Sequence, residues 1–202
     1  GVEWHSAADF LMDGLKMSAS FSTDTGAAKA VTSRVENSWG LGATYVTSAG
    51  DTALTIGGGL SGSEVAVLDT QAGADDGGFT IGVSAVTGDL TVAVGYADGD
   101  TTTGVGSNTN KQVDGDVVKA GIKYVTGDIT MNVGMVSGTA TDNIFAGTGT
   151  LEDSHDEVNA SVTYAVASGV SAILGYTSVD QNDEGASAST GGSSWYIGAT
   201  MS

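Results

Sequence analysis

The stretch VTGDLTVAVGY, Val86–Tyr96, recurs nearly unchanged as VTGDITMNVG, Val125–Gly134. In each copy a Gly-Asp pair stands before a run of strict alternation. Leu90, Val92, Val94 and Tyr96 interleave with Thr91, Ala93 and Gly95, and Ile129, Met131 and Val133 with Thr130, Asn132 and Gly134. A period of two places successive side chains on opposite faces of a strand, and Gly-Asp supplies the tight turn that joins two strands into a hairpin. The repeat is therefore a hairpin with one apolar and one polar face.

The same pattern extends in both directions. Leu15–Phe21, Trp39–Tyr45, Leu54–Leu60, Phe79–Ala85, Val118–Tyr124, Val158–Tyr164, Val170–Tyr176 and Trp195–Met201 all alternate. With the two runs above they predict ten strands of about nine residues each. An eleventh, Val2–Ala8, precedes them, joined through Phe10–Gly14. A propeller blade has a comparable repeat length but holds four strands in it, whereas each repeat here holds two and a long connection.

Connections alternate between short and long. Ser48–Asp51, Gly88–Asp89, Gly127–Asp128 and Ser168–Gly169 are tight, while Thr23–Ser38, Ser61–Gly78, Asp98–Asp116, Ser137–Glu157 and Ser178–Ser194 are rich in Asp, Thr and Gly and are expected as long loops. Short turns at one end and long loops at the other are the habit of transmembrane β-barrels. The aromatics agree. Tyr45, Tyr124 and Tyr164 fall toward the short-turn ends, and Phe21, Trp39, Phe79, Tyr96, Tyr176 and Trp195 toward the long-loop ends, all on the apolar face. Two such belts around a Val/Leu/Ile/Ala/Met band are expected to face lipid at the two headgroup levels. The alternative, a soluble β-sandwich or solenoid, has no reason to sort its aromatics in this way.

Composition narrows the function. The 202 residues include 32 Gly, no Pro and no Cys, and 24 acidic against 6 basic residues give a net charge of −18. So acidic a chain is a poor partner for nucleic acid. No apolar run is long enough for a transmembrane helix, and GVEWHSAADF at the start has no signal-peptide character. Of the two histidines, His5 alternates with Val2 and Trp4 on the polar face beside Glu3, and His155 lies in the acidic EDSHDE stretch. Neither sits in a hydrolase or metalloprotease motif, and no enzyme activity is expected. Lys16, Lys119, Lys123, Thr130 and Asn132 alternate with the apolar set and are expected to line a lumen, since Lys at mid-membrane on the lipid side costs about 2–4 kcal/mol. The lysines read either as one side of a transverse field or as partners of nearby wall carboxylates. No cofactor is required. Acidic loop residues, Asp98, Asp100, Asp114 and Asp116 among them, are candidate Ca²⁺ ligands in type only, with no EF-hand or calcium-roll motif around them.

With these residues laid out, the chain resembles the C-terminal part of an alphaproteobacterial general porin of the Rhodobacter type. The hairpins VTGDLTVAVGY, VTGDITMNVG and YAVASGVSAILGY and the terminal SSWYIGATMS carry the likeness, which covers essentially the whole chain. It implies an all-β transmembrane antiparallel barrel in the outer membrane of a Gram-negative bacterium. It implies that residues 1–202 form one barrel domain, the last eleven strands of sixteen, with N-terminal strands, a constriction loop and a terminal Phe beyond the chain. It further implies a homotrimer, contact with membrane lipid and lipopolysaccharide, and passive diffusion of small hydrophilic solutes and ions. The acidic loops add an expected weak cation preference. The rival reading is a smaller closed barrel with enzymatic or adhesive loops, which strand count separates from the first.

Overall fold

A computed structural model describes residues 1–23, 33–67, 74–105, 109–142, 151–182 and 189–201. The strands are β1 (Val2–His5), β2 (Leu15–Thr23), β3 (Ser33–Ala49), β4 (Thr52–Val67), β5 (Ala74–Thr87), β6 (Leu90–Val105), β7 (Thr109–Thr126), β8 (Ile129–Asp142), β9 (Leu151–Ala167), β10 (Val170–Asn182) and β11 (Thr190–Met201). They form one antiparallel sheet in chain order, each paired with its sequence neighbours. Among the described residues β1 and β11 each keep one unpaired edge.

Most strands are longer than the alternation predicts. β3 and β9 have 17 residues and β7 has 18. Much of each expected long loop is in fact paired strand, because hydrogen bonding continues where the apolar side chains stop. Asp and Gly lower strand propensity, but they do not prevent pairing when both neighbours are already aligned. The centres of these connections, 24–32, 68–73, 106–108, 143–150 and 183–188, lie outside the described residues. The N-terminal strand is shorter than predicted, ending at His5.

The tight turns follow their sequences. Gly50, Gly88 and Gly127 have φ of 61°, 55° and 55°, each at the first central position of a two-residue turn before Asp, as a type II′ hairpin requires. At Ser168–Gly169 the positive φ, 74°, falls on the second residue, and the register shifts between Val170 and Ser171. That bulge accommodates the different turn. The β1–β2 connection is held by Asp9, whose Oδ1 accepts the Gly14 N–H at 2.6 Å, while the Gly14 carbonyl accepts the Val46 N–H at 2.9 Å.

The sheet is strongly curled. β3 and β6 approach within 8 Å Cα to Cα, although two strands lie between them. In a flat sheet they would be about 14 Å apart. Glycine permits the bend, notably the run Gly57-Gly58-Gly59 in β4 facing Gly82 in β5. On the polar side the curl encloses a hollow reached by His5 of β1, Lys16 of β2 and Lys119 of β7, so this is the concave face and the apolar face is the convex one. No large side chain among the described residues is fully buried, and Leu60, Ile81 and Val133 are more than half exposed, at 53%, 56% and 54%. The apolar residues therefore do not meet in a dry core, which excludes the sandwich.

Candidate functional site

Register settles which residues share a face and where along the wall they stand. On the convex face, Trp195 of β11 is joined strand by strand through Tyr176, Ala160, Val133, Ile122, Val92, Ala85 and Leu54 to Thr47 of β3. Thr47 lies eight residues beyond Trp39 on β3, and β11 lies eight strands from β3. The upper belt therefore descends by one residue per strand. The lower belt does the same. The row through Tyr124 of β7 passes Leu90, Thr87 and Thr52 to reach Ala49, four residues beyond Tyr45 and four strands away. Tyr164 continues the descent two strands further on, opposite Ile129, which pairs with Thr126.

One residue of rise per strand spacing corresponds to about 35° between the strands and the normal to the belts. That is the strand tilt a closed transmembrane barrel requires. All nine belt aromatics, Phe21, Trp39, Tyr45, Phe79, Tyr96, Tyr124, Tyr164, Tyr176 and Trp195, occupy the convex face in this slanted arrangement. Neighbouring rings touch within the upper belt, Phe79 with Tyr96 at 5.6 Å and Tyr176 with Trp195 at 4.8 Å between centroids.

Lys16, Lys119, Lys123, Thr130 and Asn132 all occupy the concave face. Lys123 pairs with Asn132, whose amide Nδ2 donates to Ser161 Oγ at 3.4 Å, and Thr130 stands between Val125 and Thr163. Lys16 and Lys119, five strands apart, belong to a single row, Lys16–Thr44–Gly57–Gly82–Gly95–Lys119. They line one open hollow of about 630 Å³ together with His5, Ser18 and Thr80. Among the described residues none of the three lysines lies within ion-pair distance of a carboxylate. His5 faces the same side and its Nε2 meets Glu3 Oε1 at 2.8 Å.

Two features of this face were not singled out from the sequence. Tyr196 lays its ring over Gly175, where a methyl group would run into it, a cover for a bare stretch of backbone. His155 receives Gln181 Nε2 at Nδ1, 3.0 Å, and its Nε2 lies 3.9 Å from Glu157. The first follows from the alternation once the β10–β11 register is known, the second once the β9–β10 register is.

The four aspartates considered for Ca²⁺ are not in loops. Asp98 stands directly opposite Asp116, and Asp100 opposite Asp114, on the convex face above Tyr96. Like charges so placed repel, and neutral donors answer three of them. Tyr96 donates to Asp98 at 3.1 Å, Thr139 to Asp116 at 2.6 Å and the Gly77 N–H to Asp100 at 2.8 Å. Among the described residues no group of three His, Cys, Asp or Glu side chains is placed to hold a metal ion.

Residues 6–184 match the family model described as Gram-negative porin. The chain belongs to that family. Porins reside in the outer membrane, and this porin's belted, tilted sheet is the architecture that location demands. No curated protein sequence matches it. Among solved structures, the outer membrane channel DcaP of Acinetobacter baumannii is similar over 98% of this chain and 61% of its own length, with TM-score 0.74 at 8% identity. OmpT of Vibrio cholerae, an outer membrane protein, is similar over 98% and 62%, with TM-score 0.62 and 18% identity. A further porin structure reaches TM-score 0.56 at 15% identity over 96% of this chain and 60% of its own. The porin described here thus spans about three fifths of the length of these structures. At such identities the likeness speaks for the fold, a porin-type antiparallel β-sheet.

Proposed function

We propose that the eleven strands form an arc of a water-filled outer-membrane pore through which small hydrophilic solutes and ions diffuse passively, without catalysis or cofactor. The observation that carries the reading is the pair of aromatic belts descending together by one residue per strand. They bound a band that only hydrocarbon suits, around a concave face of Gly, Ser, Thr and Lys that only water suits. In lipid the free edges of β1 and β11 need partners, because unpaired N–H and C=O groups cannot face hydrocarbon. We therefore take the working unit to be a closed barrel of sixteen strands to which this arc contributes, of the alphaproteobacterial general-porin type. The belted face would meet lipid and lipopolysaccharide, and barrels would associate as a homotrimer. Chemical cross-linking in native membranes should then yield a three-fold species.

A weak cation preference follows from the charge of −18. Asp75, Asp98, Asp114, Asp153 and Asp180 lie in the halves of their strands nearer the long connections, and Glu184 lies outside the described residues. Acids of one sign around a low-dielectric mouth concentrate counter-ions. Lys16, Lys119 and Lys123 oppose the effect inside, so the outcome is a bias and not exclusion. With the porin in planar bilayers under a KCl gradient, the reversal potential should take the sign for K⁺ at low salt. It should shrink as salt rises and the Debye length falls to about 8 Å at 0.15 M. A chloride preference at low salt would contradict the reading.

A further inference from the structure

We infer that the connection between β1 and β2 is an interfacial anchor, with Phe10, Leu11 and Met12 seated at the headgroup boundary of the phospholipid leaflet on the short-turn side. The inference rests on the convex face being the lipid-facing one, and it concerns a segment outside the strands. The other connections at that end turn on Gly50-Asp51, Gly88-Asp89, Gly127-Asp128 and Ser168-Gly169. This one runs from Ser6 to Gly14 and carries three large apolar residues in succession, 47%, 72% and 56% exposed. Contiguous apolar surface of this kind marks a contact, because leaving it in water gains nothing.

Depth and direction both place the trio at the membrane boundary. Tyr45 marks the lower belt on β3. Carried back at one residue per strand, the belt crosses β2 at Lys16, opposite Thr44, and then reaches Ser6, whose N–H donates to the Met17 carbonyl at 2.9 Å. The connection folds back to that level. The Phe10 N–H donates to the Leu15 carbonyl at 3.3 Å, and the Leu15 N–H to the Met12 carbonyl at 3.2 Å. Phe10 also packs edge-on against Trp4, 5.5 Å between centroids and 75° between planes. Trp4 pairs with Ala19 on the convex face and lines one apolar hollow there with Leu15 and Tyr45. The trio is thus continuous with the lipid-facing band, and Asp9 braces it through its bond to Gly14. No Lys or Arg lies between Ser6 and Gly14, so the contact is apolar and not charge-driven. It suits a zwitterionic phospholipid, whose headgroup level is where aromatic and aliphatic side chains beside a polar backbone settle.

The test exploits the absence of cysteine from the chain. Leu11→Cys and Met12→Cys each carry an environment-sensitive fluorophore, with Asp51→Cys in a tight turn at the same end and Val133→Cys in the mid-band as references. Each porin is refolded into phosphatidylcholine vesicles, and its folding is checked by gel shift. Quenching is read with lipids brominated near the glycerol or near the chain end, and with iodide on both sides of the membrane. Labels at Leu11 and Met12 should be quenched several-fold more by shallow bromine than the label at Asp51, more by shallow than by deep bromine, and little by iodide. Iodide quenching as strong as at Asp51 would place the trio in water and overturn the anchor. Quenching by neither agent would mean that protein covers the trio, a second copy or another partner, and would overturn it equally. Bromine quenching at Val133 but not at Leu11 or Met12 would leave the lipid-facing reading intact and remove the anchor alone. No bromine quenching at Val133 in folded porin would remove the lipid-facing reading, and the anchor with it.

Discussion

Val133→Arg is expected to stop the porin from entering a bilayer, whereas Asn132→Arg, one residue away, is expected to leave insertion intact. The two positions differ by a single strand step in depth, so only the face changes. Val133 is 54% exposed on the convex face, between Met131 and Met135 and midway down the belted band. An arginine there must carry its charge into hydrocarbon, at about 2–4 kcal/mol near the midplane. Asn132 sits on the concave face, where its one side-chain hydrogen bond, 3.4 Å to Ser161, is weak and water can replace it. Folding into lipid vesicles, read by the gel shift between folded and heat-unfolded protein, separates the two. Insertion of the Val133 variant together with failure of the Asn132 variant would mean that the faces are reversed.

The second large effect concerns the turn into β2. Gly14→Ala should destabilise the folded porin by at least about 2 kcal/mol more than Gly50→Ala, measured as the shift of the urea midpoint in vesicles. Both glycines have positive φ, 81° and 61°, so both substitutions carry the left-handed penalty of about 1–2 kcal/mol for an L residue. Their surroundings differ. Around Gly50 an added Cβ meets nothing within 4 Å, while at Gly14 it runs into the carbonyl oxygen of Val46. That oxygen is main chain and cannot swing aside, and Gly14 is tied to Val46 by the 2.9 Å hydrogen bond that starts the β2–β3 ladder. Equal midpoints for the two variants would show that the connection bends freely.

Much of this was legible in the sequence, for a physical reason. Alternation such as Leu90-Thr91-Val92-Ala93-Val94 records which way each side chain points, and the Gly-Asp pairs at Gly88 and Gly127 record where the chain reverses. Strand length was less legible. The residues from Asp98 to Asp116 have loop composition, yet Asp98–Asp100 and Asp114–Asp116 pair residue for residue. Side chains report what surrounds a strand, and above a membrane both faces meet water, so the apolar signal vanishes while the hydrogen bonds continue. The alignment of Lys16 with Lys119 was beyond reach for another reason. It depends on the summed registers of five strand pairs, three of them joined by long connections whose offset no local motif fixes.

Neighbour-only pairing also bears on how the wall is made. Among the described residues each of the ten strand pairings joins consecutive strands, so none of these steps requires the chain to search across more than one hairpin. The entropy lost in closing each loop is correspondingly small, and contacts that are local in sequence form fast. Growth can proceed by adding one hairpin at a time to a standing edge, every new strand being templated by the last. In the closed barrel proposed above, the rate of such an assembly would be set by its one non-local event, the seam where the first and last strands meet.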